Sequence, residues 1–299
     1  MNPSPSPDNQ DQPATPASPS PLRVPDYRRL LCSNTLWWQT MFMEMIVVGW
    51  VVLELTNSAW DVALIGFYRS APLMFMGFLS GPIADRFGRR RVALVCQSTN
   101  FVASLSVTVL LWTGYLSFWH LAVLGAILGA SWSVDWTARR AMIPDLVGRS
   151  RTMDAMLLEG VTQNITRIAG PFASGALIAA VGAAGCYTIL TAVSGPSLLF
   201  LLRLSKPATV TRPIEQGSPL QKMATGLRYV RGHPAILGVF LITISMNFLA
   251  FPYMSLLPVF ARDVLGQGPV GLGLLGAASG VGSFAGLLLV NRIRHRIGL

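Results

Sequence analysis

The chain has 299 residues, of which 52% are hydrophobic and only 12% charged. A soluble globular protein carries about 25% charged residues, so this composition excludes an ordinary soluble domain and points to lipid as the solvent. The net charge of +10 would suggest nucleic acid in a soluble chain, but here the positions of the charges decide what they do.

The first 25 residues, MNPSPSPDNQDQPATPASPSPLRVP, hold eight of the 20 prolines and almost no large apolar side chain. Such a segment cannot bury a core and is expected to be a disordered Pro/Ser-rich tail over 1–25. It has no apolar stretch of the kind a signal peptide needs.

Eight apolar spans follow, at roughly 29–55, 61–84, 91–113, 117–138, 153–181, 184–203, 234–261 and 268–291. Each is long enough to cross about 30 Å of hydrocarbon as a helix. The fold class expected is an all-α membrane bundle. Its parts would be a six-helix unit over 26–204, a linker over 205–233 and two further helices over 234–299.

The cations alternate with the spans. Twenty of the 23 Lys and Arg fall before span one, between spans two and three, four and five, and six and seven, or after span eight. The intervening loops TNSAW, TGY and GAAG carry none. By the positive-inside rule the amino terminus and the turn GPIADRFGRRR lie in the cytoplasm of a multi-pass inner-membrane protein. No nucleic-acid role is then needed. The linker contains SPLQKMATGLRYVRGHP, whose Leu220, Met223, Leu227 and Val230 recur at helical spacing. That pattern suits a helix lying on the inner leaflet.

Ionisable groups at membrane depth mark function by default. Glu44 lies midway along span one and Arg167 midway along span five; Arg69 lies in the outer part of span two, near the level of Glu54. Glu159, Gln163, Arg167, Gly170 and Ser174 share one face of span five, at steps of four, four, three and four. Two ion pairs are expected, Glu44–Arg167 and Glu54–Arg69, serving either transport or helix packing. Aromatic residues including Trp37, Trp38, Phe42, Trp132 and Trp136 suit a flat apolar or catechol-like substrate, or simply the core.

Shifting the chain by 206 residues lays Asp85 over Asn291 and Arg86 over Arg292, as in a transporter built from two parallel repeats. Between spans two and three, G-x-x-x-D-R-x-G-R-R resembles the signature loop of the major facilitator superfamily, through Gly81, Asp85, Arg86, Gly88, Arg89 and Arg90. DWTARRAMIPDLV resembles the end of the fourth helix of its drug- and siderophore-exporting branch, through Asp135 and Arg139. RIAGPFASG is similar to the antiporter G-P-x-x-x-G pattern, through Gly170, Pro171 and Gly175.

The resemblance implies a secondary exporter of a small organic molecule, coupled to protons and working by alternating access. Its loop acid would pair with arginines and face the amino end of an eleventh helix as a conformational latch. Gly81 would allow close helix approach and Gly88 a positive φ. By their depth and shared polar faces, not by the resemblance, Glu44, Glu159, Gln163 and Arg167 are read as lining the substrate and proton pathway. Span four lacks the mid-helix arginine of many drug/proton antiporters. The repeat implies a full length of about 400 residues, so this chain is expected to stop after the eighth helix. The competing reading is a non-transporting scaffold or an inactive remnant.

Two patterns carry no chemistry. GLGLLG at Gly271, Gly273 and Gly276 mimics a dinucleotide fingerprint, but no strand precedes it; close helix packing is expected instead. Cys32, Cys96 and Cys186 and His120, His233 and His295 have no metal spacing. No cofactor, metal or catalytic constellation is expected, and the chain reads as a transporter rather than an enzyme. Its partners would be the bilayer, a small molecule and protons.

Overall fold

A computed structural model describes residues 20–205, 228–246 and 252–297, and all regular structure among them is helical. The expected tail falls outside these residues up to position 19, as does most of the linker. A 3-10 turn at Pro21–Arg23 leads into α1, Pro25–Thr56, which starts on a proline whose missing N–H is no loss in a first turn. α2 is Ala59–Phe87, α3 Arg89–Thr113 and α4 Phe118–Val147.

α5, Thr152–Leu202, runs through two of the expected spans. Gly182 divides it with φ 73° and ψ 175°, a conformation that a residue with a Cβ rarely adopts. The two limbs, 152–181 and 183–202, match the expected fifth and sixth spans. Of the expected seventh span, the described parts are α6, Pro234–Ser245, and α7, Pro252–Val259. A five-residue π-helical stretch, Phe260–Val264, follows α7. The last helix, α8, covers Pro269–Ile297.

Among the described residues, five helices are long and apolar enough to cross a membrane, with all of α5 counted once. A sixth is α2, taken as the pair Ala59–Leu73 and Phe75–Phe87 bent by 42°. Pro72 lies beside the bend and removes one backbone donor there.

Because consecutive helices run antiparallel, their matching ends build separate parts of the core. At one end Val47, Trp50, Val51, Ile65, Leu121 and Tyr187 pack together. At the other, Tyr27, Leu30, Val92, Met142, Ile143 and Leu201 do so. Between them Trp37, Trp38 and Phe42 of α1 meet Trp132 and Trp136 of α4. α1 packs most extensively on α5, and α2 on α4. Many large apolar side chains point outward, among them Phe67, Phe75, Trp112, Trp119 and Ile165. In lipid that surface needs no further cover.

α8 docks on α5 through glycine. A Cβ built on Gly175 would lie 2.7 Å from the Cα of Gly273, and one built on Gly276 would lie 2.7 Å from Pro171 Cβ. Gly170 meets α1 in the same way, with Phe42 Cβ 2.6 Å from the position of its missing Cβ. The glycines of GLGLLG and of the G-P-x-x-x-G pattern therefore meet each other, which fits the rule that small residues let membrane helices approach closely.

Candidate functional site

Three groups of charged side chains occupy three levels of the first helices. The deepest centres on Glu44. It lies 12 residues from the end of α1, and Arg69 lies 10 residues from the start of α2. At about 1.5 Å per residue these are depths of about 18 and 15 Å below the turn. Glu44 Oε2 and Arg69 Nη1 are 2.8 Å apart, with side chains 15% and 24% exposed. The pair borders a small cavity between α1, α2, α3, α4 and the second limb of α5. Thr40, Gln97, Asn100, Ser104 and Ser194 give that cavity a polar lining, while Trp37, Trp132 and Leu190 give it apolar walls.

This pairing corrects both expected ion pairs. Arg69 lies deeper than its assigned level and reaches Glu44, not Glu54. Glu54 instead accepts a hydrogen bond from Trp50 Nε1 at 2.6 Å. Arg167 lies over the ring of Phe42 at 5.8 Å. Phe42 and Glu44 are two residues apart, about 200° around the helix, so an arginine on the Phe42 face cannot meet Glu44. Among the described residues Arg167 Nε is buried without a hydrogen-bond partner. Gln163 is half-buried on the same face of α5.

The second group is a buried network around Arg139 of α4, which is 2% exposed. Its Nε donates to Asp135 Oδ1 at 2.8 Å, one helical turn back. One Nη donates to Asn34 Oδ1 at 2.8 Å and Ser33 Oγ at 3.1 Å, both on α1. The other donates to Gln97 Oε1 of α3 at 2.8 Å. Trp37 lies beneath the guanidinium at 5.1 Å. Asn34 passes the connection on, donating to Glu159 Oε1 of α5 at 2.9 Å. One guanidinium thus joins α1, α3 and α4 directly and α5 through Asn34, and only arginine has the rigid fork of donors for it. The second oxygens of Asp135 and Glu159 are buried without a hydrogen-bond partner among the described residues.

The third group is the turn between α2 and α3. Gly88 adopts φ 86° and joins the two helices. Arg89 reaches across to α4, where one Nη donates to the carbonyl of Ala141 at 2.7 Å and to Asp145. Its other Nη is 3.3 Å from Asp85, whose side chain is 58% exposed. Arg90 donates to the carbonyl of Leu202 at 2.8 Å, closing the end of α5. Arg86 lies over the ring of Phe87 at 5.6 Å. A Cβ on Gly81 would meet nothing within 4 Å among the described residues, so the close approach expected there is not made by them.

Ser33, Asn34, Gln97 and Asp145 lie outside the set that the sequence pattern singles out. Asn34 and Gln97 left a signal, as amides inside apolar spans. Asp145 left another, as an acid at the helix end that faces an arginine-rich turn. No three His, Cys, Asp or Glu side chains among the described residues converge as a metal ion would require.

An antiparallel array of long apolar helices, an ion pair at membrane depth and an arginine-rich turn joining helices two and three define a multi-pass membrane bundle. Residues 16–299 match the family model described as transmembrane secretion effector, and the chain belongs to that family of the major facilitator superfamily. It is therefore a multi-pass membrane protein.

It is 30% identical over 272 residues to the multidrug efflux pump Tap of Mycobacterium tuberculosis (strain ATCC 25618 / H37Rv), covering 85% of this chain and 63% of that one. It is 28% identical over 274 residues to the enterobactin exporter EntS of Escherichia coli O6:K15:H31, covering 91% of this chain and 65% of that one. The chain thus spans less than two thirds of the length of these curated relatives. A solved structure of a bacterial homolog of the human lysosomal transporter Spinster, inward-facing and unoccupied, shares the fold. Its TM-score is 0.67 at 17% identity, over 91% of this chain and 64% of that one.

Proposed function

We propose that this chain carries the coupling half of a secondary exporter. It moves a small organic molecule, drug-like or siderophore-like, out of the cytoplasm in exchange for protons. Residues 26–204 form the six-helix bundle, and residues 234–299 contribute the opening helices of a second one. The amino terminus and the turn at Asp85 face the cytoplasm of the inner membrane, where the alternation of cations with spans puts them.

The observation that carries this reading is the Glu44–Arg69 pair beside a polar cavity. A carboxylate and a guanidinium at membrane depth are costly apart and tolerable together. Adding a proton to Glu44 removes the attraction and frees Arg69. Removing the proton restores the pair. A proton-dependent contact between α1 and α2 is what coupling to a gradient requires. Glu159, with one oxygen held by Asn34 and one without a partner, is the second carrier. Asp85, Arg89 and Asp145 act at the cytoplasmic end as the latch between helices two, three and four. The relatives named as an efflux pump and an exporter support the direction of transport.

The test is flux in vesicles. The chain, and a chimaera extended with the remaining helices of the mycobacterial relative, are reconstituted with an imposed proton gradient and a panel of dyes and siderophores. Saturable, gradient-dependent flux that Glu44→Gln abolishes is expected. Flux by neither form, or flux indifferent to the gradient, overturns the reading.

A further inference from the structure

The Glu44–Arg69 pair stands between two cavities. Both are lined by Glu44, Arg69 and Tyr187, with Val107 and Leu128 beside them. In α1 the first cavity takes residues from 37 to 44 and the second from 44 to 49. In α4, which runs the other way, they take residues from 128 to 132 and from 121 to 128. The second cavity therefore lies nearer the α1–α2 turn, on the outer side in the proposed orientation. The inner cavity offers Gln97, Asn100, Ser104 and Ser194, whereas Ile65, Leu121 and Leu124 make the outer one apolar. Water is held by polar partners, so the inner lining is the one suited to deliver protons to Glu44.

The outer cavity is covered by the chain that follows the linker. Ser255 of α7 lines it together with Gly49 of α1 and Gly66 of α2. A Cβ built on Gly66 would lie 2.8 Å from Ser255 Cβ, and one built on Gly49 would lie 2.8 Å from Pro258 Cγ. α7 is thus pressed against both helices of the hairpin, through small residues that permit close approach. The polar hold on this cover is Arg262, in the π-helical stretch after α7. Its Nη1 donates to the Leu53 carbonyl at 3.2 Å and its Nη2 to Asn57 Oδ1 at 2.6 Å. Leu53 lies in the last turn of α1, and Asn57 caps that helix with φ 50°. A guanidinium is favoured there, at the negative end of the helix dipole. Asp263 takes the Nε edge at 2.6 Å and so fixes the direction of the fork. π-helical turns recur at functional positions.

We infer that Arg262 is the residue that closes the outer route to Glu44: by clasping the end of α1 it holds α7 over the outer cavity. While the clasp is made, Glu44 exchanges protons through the inner cavity alone. When it is released, α7 lifts from Gly49 and Gly66 and the outer cavity opens. Arg262 touches neither Glu44 nor Arg69; it acts on them by position. The inference deepens the coupling reading, which needs Glu44 open to one side at a time, and rests on that reading for its biological use.

The experiment is thiol labelling of the full chain in right-side-out and inverted vesicles with a charged, membrane-impermeant maleimide. Cys32, Cys96 and Cys186 are first changed to alanine. Gly125→Cys places one reporter in the outer cavity, where an added Cβ meets nothing within 4 Å. Asn100→Cys places another in the inner one. With the clasp intact, the outer reporter should react slowly from outside. Arg262→Gln removes both bonds to α1 and should raise that rate about tenfold or more, because the closed state loses hydrogen bonds from a charged donor. Asn57→Gly removes one acceptor, suits a positive φ, and should raise the rate to a lesser degree. Neither variant should raise labelling of the inner reporter. Arg262→Lys, which keeps the charge but not the fork, should fall between Arg262→Gln and the parent.

No rise at the outer reporter in either variant overturns the inference. A rise at both reporters also overturns it, because general loosening and not a clasp then explains the result. If Arg262→Gln does not fold, Asn57→Gly decides by the same two outcomes. Labelling needs no transport, so a chain without flux can still show the clasp and refute export. Tyr115→Cys, in the exposed α3–α4 turn, reports orientation separately. Its reaction from inside alone would refute the proposed orientation, and the clasp would then be judged from that side.

Discussion

Glu44 and Arg69 meet at 2.8 Å across the α1–α2 hairpin, well below the turn that joins the helices. Removing one partner of such a pair strands the other charge, whereas removing both leaves none. Glu44→Gln should therefore lower both folded yield and gradient-driven flux. The double change Glu44→Gln with Arg69→Gln should recover yield without recovering flux. Detergent-solubilised yield and thermal unfolding read the first effect, and vesicle uptake reads the second. A double variant no better folded than either single one would argue against the pair. Uptake intact in Glu44→Gln would argue against its role in coupling.

Arg89 chooses between two acids. The Asp145 side chain is 18% exposed and shares one Nη of Arg89 with the Ala141 carbonyl, while the Asp85 side chain is 58% exposed at 3.3 Å. Asp145→Asn should therefore lower thermal stability more than Asp85→Asn, which should cost less than about 1 kcal/mol as an exposed pair does. Asp85→Asn should nonetheless lower transport strongly, with near-normal expression. Equal melting temperatures for the two variants would place both acids on the same footing. Unaltered uptake in Asp85→Asn would leave the turn as a topological anchor only.

The Arg139 fork predicts a graded loss. Gln97→Leu removes one acceptor from a guanidinium that no water-exposed surface can compensate, at about 1.5–3 kcal/mol for a bond to a charged group. Arg139→Lys keeps the charge but not the fork, and should lose the contacts with α1 and α3 together. Thermal unfolding of the two variants measures this. A lysine variant as stable as the parent would show that charge alone suffices.

Gly175 and Gly273 predict a steric effect at a site far from any charge. A Cβ on Gly175 would meet backbone on both sides, the Pro269 carbonyl at 2.5 Å and the Gly273 Cα at 2.7 Å. Backbone cannot rotate away as a side chain can. Gly175→Leu should cost about 1–3 kcal/mol or detach α8 from α5. The check is protease accessibility of α8, which should rise in the variant. Unchanged protection and melting would mean that the helices separate at no cost.

Much of this architecture was legible in the residues. The break at Gly182 coincides with GAAG, where the apolar pattern stops and restarts, and the glycines that dock α8 stand out at helical spacing. The turn at Gly88 was visible because one acid among four arginines has no other reason to sit between apolar helices. The ion pairs were not legible. Arg69 reads as an outer-span arginine and Arg167 as a mid-span one, and naming a partner needs the rotation of each helix as well as its depth. Span lengths give depth only coarsely, as Arg69 shows, and give rotation not at all. Asn34 and Gln97 escaped for a different reason. A lone amide in an apolar run signals a hydrogen bond but does not name its partner.

The seam between α5 and α8 has a mechanical meaning. Most helix contacts interlock, because side chains of one helix seat between those of the other. Displacing them by one position means lifting every knob from its hole. At Gly175 and Gly273 there is nothing to lift: two peptide backbones face each other, with Pro171 and Gly276 alongside. Such a seam resists separation, because the backbones are so close, yet offers little resistance to sliding along its length. It behaves as a bearing.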